Sequence, residues 1–190
     1  MKEKFQHAGY TVRIQLDEDA QSPETYGNTD LFLLTTKNRY FSVQREGFDL
    51  ENFSSVRVIE PGEDMPEVPD YINKYHVFPL YTYIHGGVSL STSGFSCQWD
   101  SGQIGVILVS KDGGFTDPEQ AAKSLCDEWN QYLSGDVWGY TVTSNDGEPV
   151  DSCCGFYGRD YCVEAAKTAS ENCKAYENRQ AGLIDAMMAI

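Results

Sequence analysis

Between Tyr75 and Trp99 the chain carries no Asp, Glu, Lys or Arg, although the protein as a whole has 29 acidic and 14 basic residues among 190. Charged side chains are excluded where burial would leave them unpaired, so this run predicts the interior of the fold, with Trp99 largely buried in it. It reads as strands. Leu80 to Ile84 lead to a Gly86-Gly87 turn, and Val88, Leu90 and Thr92 then alternate with small polar residues, the period-two pattern of a half-buried strand. Gly, Ser, Thr and His are too frequent for a lipid-facing helix, which needs about 20 mostly apolar residues. Ile104, Val106, Ile107, Leu108 and Val109 make a following strand that is apolar on both faces and therefore central in its sheet.

A chain of 190 residues, 41% of them hydrophobic, is long enough to bury one good core as a single domain over residues 1–190. Its net charge of −15 argues against direct binding to nucleic acid or anionic lipid, because affinity for phosphate comes from Lys and Arg. The same charge suits a basic protein surface, such as the groove where a nucleic-acid-binding protein holds its ligand. The plainer reading of the charge is solubility. The first residues, MKEKFQHAGYTVRIQ, hold no apolar stretch of the secretory kind, and no membrane segment is expected. A cytoplasmic location follows as the expectation, with the six cysteines (97, 126, 153, 154, 162 and 173) reduced. No CxxC pair occurs and the histidines (7, 76 and 85) are scattered, so neither a zinc site nor a cofactor is expected.

In chain order, Tyr10 to Leu16 alternates as a first strand and runs into Asp17-Glu18-Asp19 and a polar loop. Leu31 to Thr35 is apolar, and Arg39 to Gln44 is the candidate partner strand across a Lys37-Asn38 turn. Val56 to Ile59 looks strand-like, and EPGEDMPEVPD (residues 60–70), with five carboxylates and three prolines, reads as an exposed acidic loop. Thr116-Asp117-Pro118-Glu119 has the form of a capping box. After it Ala122, Leu125, Cys126, Trp129, Tyr132 and Leu133 recur at helical spacing until Gly135. Val137 to Thr143 and Val150 to Tyr157 flank an Asn145-Asp146-Gly147 turn. Asp160 is the expected cap of a last helix with Cys162, Ala166, Ala169, Cys173 and Tyr176 on one face. Residues 177–190 form a tail or docking helix whose apolar end, Leu183 to Ile190, should dock on its own domain or make a homodimer with a second copy. The class expected is α+β: an antiparallel or mixed sheet with two principal helices.

The segment PLYTYIHGGVSLSTSGFSCQWDSGQIGVILVSKD resembles a group of phage and mobile-element proteins with a pattern close to PLYxYDHxGxxxSTxPFSCPWDSGQVGxIYVxK. QSPETYGNTDLFLL, DEWNQYLSGDVWGYTV and GEPVDSCCGFYGRDYC resemble further stretches of the same group in the same order, so the likeness runs from Gln21 to Cys162. The chain departs from the pattern at Gln98, where the group has proline, at Cys154, where it has tryptophan, and at Thr82-Tyr83-Ile84, which lacks the acidic residue before the histidine. The resemblance implies an accessory protein of a phage or mobile element acting in a bacterial host cell. It implies no chemistry.

Two classes of function are compatible with these residues. The first is a non-enzymatic inhibitor of a host nucleic-acid-targeting defence system, of the anti-CRISPR or anti-restriction type. It would present Asp17, Glu18 and Asp19 together with Glu60, Glu63, Asp64, Glu67 and Asp70 to a basic partner, a host nuclease or nucleic-acid-binding complex, with carboxylates standing in for phosphates. The second is a small hydrolase or transferase with Cys97 as nucleophile, His85 as base and Asp100 as its orienter. Against it, no GxSxG elbow is present, and a Cys between Phe95 and Trp99 is more often a packed thiol. Asp100 has its own structural reading as the acceptor of an Asx-type turn before a positive-φ Gly102. A structural or regulatory interaction module is a third reading.

Overall fold

The computed structural model describes residues 2–48, 50, 71–97 and 99–188. Its elements in chain order are strands β1 (Lys2–His7), β2 (Tyr10–Leu16) and β3 (Leu31–Thr35), a short helix α1 (Tyr71–Lys74), strands β4 (Tyr75–Ile84), β5 (Val88–Ser91) and β6 (Ser101–Ser110), helix α2 (Pro118–Ser134), strands β7 (Val137–Thr143) and β8 (Pro149–Tyr157), and helix α3 (Arg159–Met188). A 3-10 turn at Pro23–Tyr26 precedes β3. The class is α+β, as expected, with two four-stranded sheets that are antiparallel throughout. Two compact units make up the chain: Met1–Gln21 with Gly135–Ile190, and Ser22–Ser134.

The first unit orders its strands β1-β2-β7-β8. Strand β2 alternates as its sequence demands, with Tyr10, Val12 and Ile14 buried. They meet Trp138 and Val142 of β7 and the small face of α3 at Cys162, Ala166 and Ala169. Small side chains there let the helix axis come close to the sheet. Strand β1 is not legible from the residues, since KEKFQH has one large apolar side chain, Phe5; it forms because it pairs along its whole length with β2. Arg159 then ties it to α3 by a two-pronged pair with Glu3, Nε to Oε1 at 2.9 Å and Nη2 to Oε2 at 2.5 Å. Asp160 lies inside the first turn of α3, where its carboxylate meets Arg159 Nη1 at 2.9 Å, rather than capping it.

The second unit orders its strands β3-β6-β4-β5. Strand β6 is central, and both of its faces are covered. Ile107 and Val109 join Leu33, Leu80, Leu90 and the buried face of α2 (Ala122, Leu125, Cys126 and Trp129). On the opposite face Val106 and Leu108 join Phe32, Leu34 and Leu50. Where β6 passes β3, a side chain at Gly105 would run into the Leu34 carbonyl, so only glycine fits that crossing. The start of α2 differs from expectation by one residue. Asp117 is the cap, its Oδ1 accepting from Gln120 N at 3.0 Å, with Pro118 at the first helical position.

Further expectations are corrected. No strand forms over residues 39–44. Thr35 N donates to the Val43 carbonyl (2.9 Å) and Val43 N to the Thr35 hydroxyl (2.9 Å), so a side chain takes the place of a ladder and Phe41 and Val43 are still buried. Trp99 is 96% exposed. The Ser- and Thr-rich return from β5 to β6 satisfies its backbone locally, with Ser93 N bonding the Ser91 hydroxyl at 3.0 Å, so the lack of charge there reflects loop chemistry rather than burial. Gly102 is an ordinary residue of β6 and has no positive φ. The tail is the continuation of α3 to Met188, and Leu183, Ile184, Met187 and Met188 are exposed rather than docked on their own chain. The expected strand at Val56 to Ile59 and the acidic loop of residues 60–70 lie outside the described residues.

Candidate functional site

Two places gather the residues singled out above. In the second unit the end of β4, the β4–β5 turn and the start of β6 come together. Strand pairing extends one step beyond the ladder, with Ile84 N donating to the Asp100 carbonyl at 2.8 Å. Gly86, at φ +71°, lets the chain reverse, and His85 N donates to the Gly87 carbonyl at 3.2 Å. This backbone geometry brings His85 Nδ1 to 3.3 Å from Asp100 Oδ2. The imidazole lies over the Tyr83 ring, centroids 6.0 Å apart and planes 21° from parallel, and Phe95 packs on Tyr83 at 5.7 Å. Phe95, Tyr83 and His85 therefore form a short aromatic ladder, and the exposed Trp99 precedes the aspartate that holds its last rung.

His85 and Asp100 are thus brought together as a base and its orienter would be. Cys97 does not complete the set. It is half-buried, its carbonyl accepts a hydrogen bond from the Ser101 hydroxyl, and among the described residues no hydrogen bond joins its thiol to His85. The His85 side chain is 72% exposed and open to water on its far side. Asp100 makes no Asx-type bond to the backbone among the described residues; its carboxylate serves His85. Trp99 is the feature that the sequence reading missed. A large aromatic left in water is the signal, and only the fold exposes it.

In the first unit the acidic triplet Asp17-Glu18-Asp19 follows β2. Opposite it β8 carries a bulge: Trp138 pairs with Phe156 and Tyr140 with Cys153, so Cys154 and Gly155 together face Gly139. Gly155 takes φ +82°, and a side chain on Gly139 would stand 3.1 Å from Cys154 Cβ, which accounts for glycine at both positions. Asp17 locks the bulge. Its Oδ2 accepts from Gly155 N at 3.1 Å and its Oδ1 from Asp19 N at 3.1 Å. Asp17 is therefore engaged with backbone, while Glu18 and Asp19 are exposed along a concavity of about 390 Å³ shared with Lys2, Gln15 and Cys154. Desolvation first, then the neighbouring Asp17 carboxylate, pushes the Cys154 thiol above its ordinary value, the opposite of what a reactive thiolate needs.

Glu60, Glu63, Asp64, Glu67 and Asp70 lie outside the described residues. Among the described residues no group of three or more His, Cys, Asp or Glu side chains is placed to hold a metal ion, and no helix is long and apolar enough to cross a membrane.

No protein-family model matches this chain, and no curated protein or solved structure matches it either.

Proposed function

We propose that this protein is a non-enzymatic accessory protein of a phage or mobile element, which acts in the bacterial cytoplasm by occupying the basic surface where a host defence complex holds nucleic acid, as anti-CRISPR and anti-restriction proteins do. The observation that carries the reading is the distribution of charge. Ser22–Ser134 contains sixteen carboxylates against seven Lys and Arg, and the other unit thirteen against seven, so the acidity belongs to both units and not to one tail. Carboxylates are exposed on the described backbone at Glu18 and Asp19 after β2 and at Glu119 and Asp127 on α2, of which Glu119 already pairs with Lys123 of its own helix at 2.6 Å. Each can form charge-assisted bonds with the Arg and Lys groups that otherwise hold phosphate. Glu60, Glu63, Asp64, Glu67 and Asp70 add five further carboxylates to the same chain, and self-association through the end of α3 accompanies partner binding.

Such an interface gains much of its association rate from long-range attraction. Reversing the charges of Glu63, Asp64 and Glu67 together should slow association with the partner more than it speeds release, and added salt should weaken binding steeply. An association rate that is indifferent to both would remove the basis of this reading.

One observation favours a second reading. The His85–Asp100 contact supplies half of a Cys-dependent hydrolase or transferase, with Cys97 as nucleophile. Cys97→Ser separates the two: inhibition of the partner survives it in the first reading, and turnover is lost with it in the second.

A further inference from the structure

The Trp99 surface is not explained by acidity alone. Trp129 and Trp138 are each 4% exposed, whereas Trp99 is 96% exposed at the end of a loop that is held at both ends, by the Ser91–Ser93 bonds and by the pairing of Ile84 N with the Asp100 carbonyl. A solvated indole forgoes the burial free energy that the other two tryptophans gain, so nothing in the folding of this chain favours it there. The next residue in the chain is Asp100, with 41% of its side chain open to solvent and one oxygen at 3.3 Å from the His85 imidazole. Residues 75–110 contain no Lys and no Arg, so this end of the sheet supplies a π face and a carboxylate with no cation of its own segment.

We propose that Trp99 and Asp100 form an arginine-binding surface, in which a guanidinium of a basic protein partner stacks on the indole and pairs with the carboxylate. The inference rests on the basic-partner reading above and specifies where and by what group the partner is held. Guanidinium is the cation that fits both features at once. It is planar and weakly hydrated, so it stacks on aromatic faces, and its fork of N–H donors matches a carboxylate; an ammonium does neither as well. The Phe95–Tyr83–His85 ladder fixes the imidazole, and the imidazole in turn orients Asp100, so the carboxylate is positioned before binding. A nucleobase also stacks on tryptophan, but single-stranded nucleic acid requires a cationic track for its backbone, and a stretch with no Lys or Arg in a chain of net charge −15 supplies none.

The test uses the whole protein and three probes: a short Arg/Gly peptide, its Lys/Gly counterpart of equal charge, and an oligothymidylate. Because the other two tryptophans are buried, acrylamide quenching of the exposed component reports on Trp99. The Arg peptide should shield Trp99 and bind about threefold or more tightly than the Lys peptide. Trp99→Ala and Asp100→Asn should each weaken it by about tenfold, Trp99→Tyr much less. The unfolding midpoint of Trp99→Ala should match that of the parent, since the side chain is solvated. If both peptides bind equally and Trp99→Ala changes nothing, this surface is wrong while the basic-partner reading survives. If neither peptide binds, or if the oligothymidylate shields Trp99 instead, the proposal fails and the basic-partner reading loses its support here.

Discussion

The side-chain amide of Asn130 pairs with both backbone polar groups of Leu90: its Nδ2 donates to the Leu90 carbonyl at 2.9 Å and its Oδ1 accepts from Leu90 N at 2.7 Å. Leu90 belongs to β5, the last strand of its sheet, so its outward N–H and C=O would otherwise be an open edge. A residue of α2 thereby closes a strand by imitating one more peptide unit. Asn130→Ala should cost about 1–3 kcal/mol, because two partly buried backbone groups lose their partners while no large apolar volume is removed. Urea unfolding measures it. A loss below a few tenths of a kcal/mol would mean that water replaces the amide without penalty.

Asp17 is expected to matter for stability rather than for partner binding. Removing its carboxylate in Asp17→Ala orphans Gly155 N at the β8 bulge and should cost about 1–3 kcal/mol. Charge reversal at exposed Glu18 and Asp19 should leave the unfolding midpoint nearly unchanged and weaken association. Asp17→Asn adds an electrostatic readout. It removes one negative neighbour of the Cys154 thiol, so alkylation of that thiol, followed with Cys153 replaced by Ser, should set in at lower pH than in the parent.

Base should destabilise this protein through its buried thiols. Desolvation pushes Cys126 from near 9 up to about 12, with Asp127 adding to it. Cys162 rises from near 9 to about 11, again chiefly by desolvation. Both are protonated in the folded state at pH values where the unfolded chain has already released the proton. Their contribution is fully present below pH 9 and is lost as pH climbs through 9 toward 11 or 12. Urea midpoints taken across that range should fall, and replacing Cys126 by Ala should flatten the decline. A thiol assay at neutral pH should find Cys153 and Cys154 open and Cys126 and Cys162 reactive only after unfolding.

Much of this molecule is legible in its residues where one face decides the fold. The alternation of Tyr10 to Leu16, the doubly apolar β6 and the helical stripe from Ala122 to Trp129 all bury what their spacing says they bury. Legibility fails where a partner element decides. Strand β1 exists because β2 offers it an edge, and residues 41–43 are held by the Thr35 hydroxyl rather than by a ladder. Trp99 is the instructive case, since absence of charge marks both interiors and Ser/Gly-rich loops, and only the loop's own hydrogen bonds separate them. The proximity of His85 to Asp100 follows from neighbouring strands, whereas the locking of the β8 bulge by Asp17 depends on a register that no local pattern encodes.

The end of α3 offers a separable test. Its Cys162, Ala166 and Ala169 are buried, but Tyr176, Leu183, Met187 and Met188 are exposed on the same long helix. Deleting residues 182–190 should leave the unfolding free energy within about 0.5 kcal/mol of the parent, as for other solvated surface residues, and should shift sedimentation at high protein concentration toward the monomer. A large loss of stability would mean that the segment does dock on its own chain.

The central claim, an acidic protein that occupies a basic nucleic-acid-holding surface, is tested most directly by capture from the bacterial host on the immobilised protein, elution with a salt gradient, and mass spectrometry of each fraction. The account predicts recovery of a nuclease or other nucleic-acid-binding complex that leaves with rising salt, is inhibited by the free protein, and is still captured by the Cys97→Ser variant. Retention of no basic protein, together with turnover of a small substrate that disappears in Cys97→Ser, would contradict it.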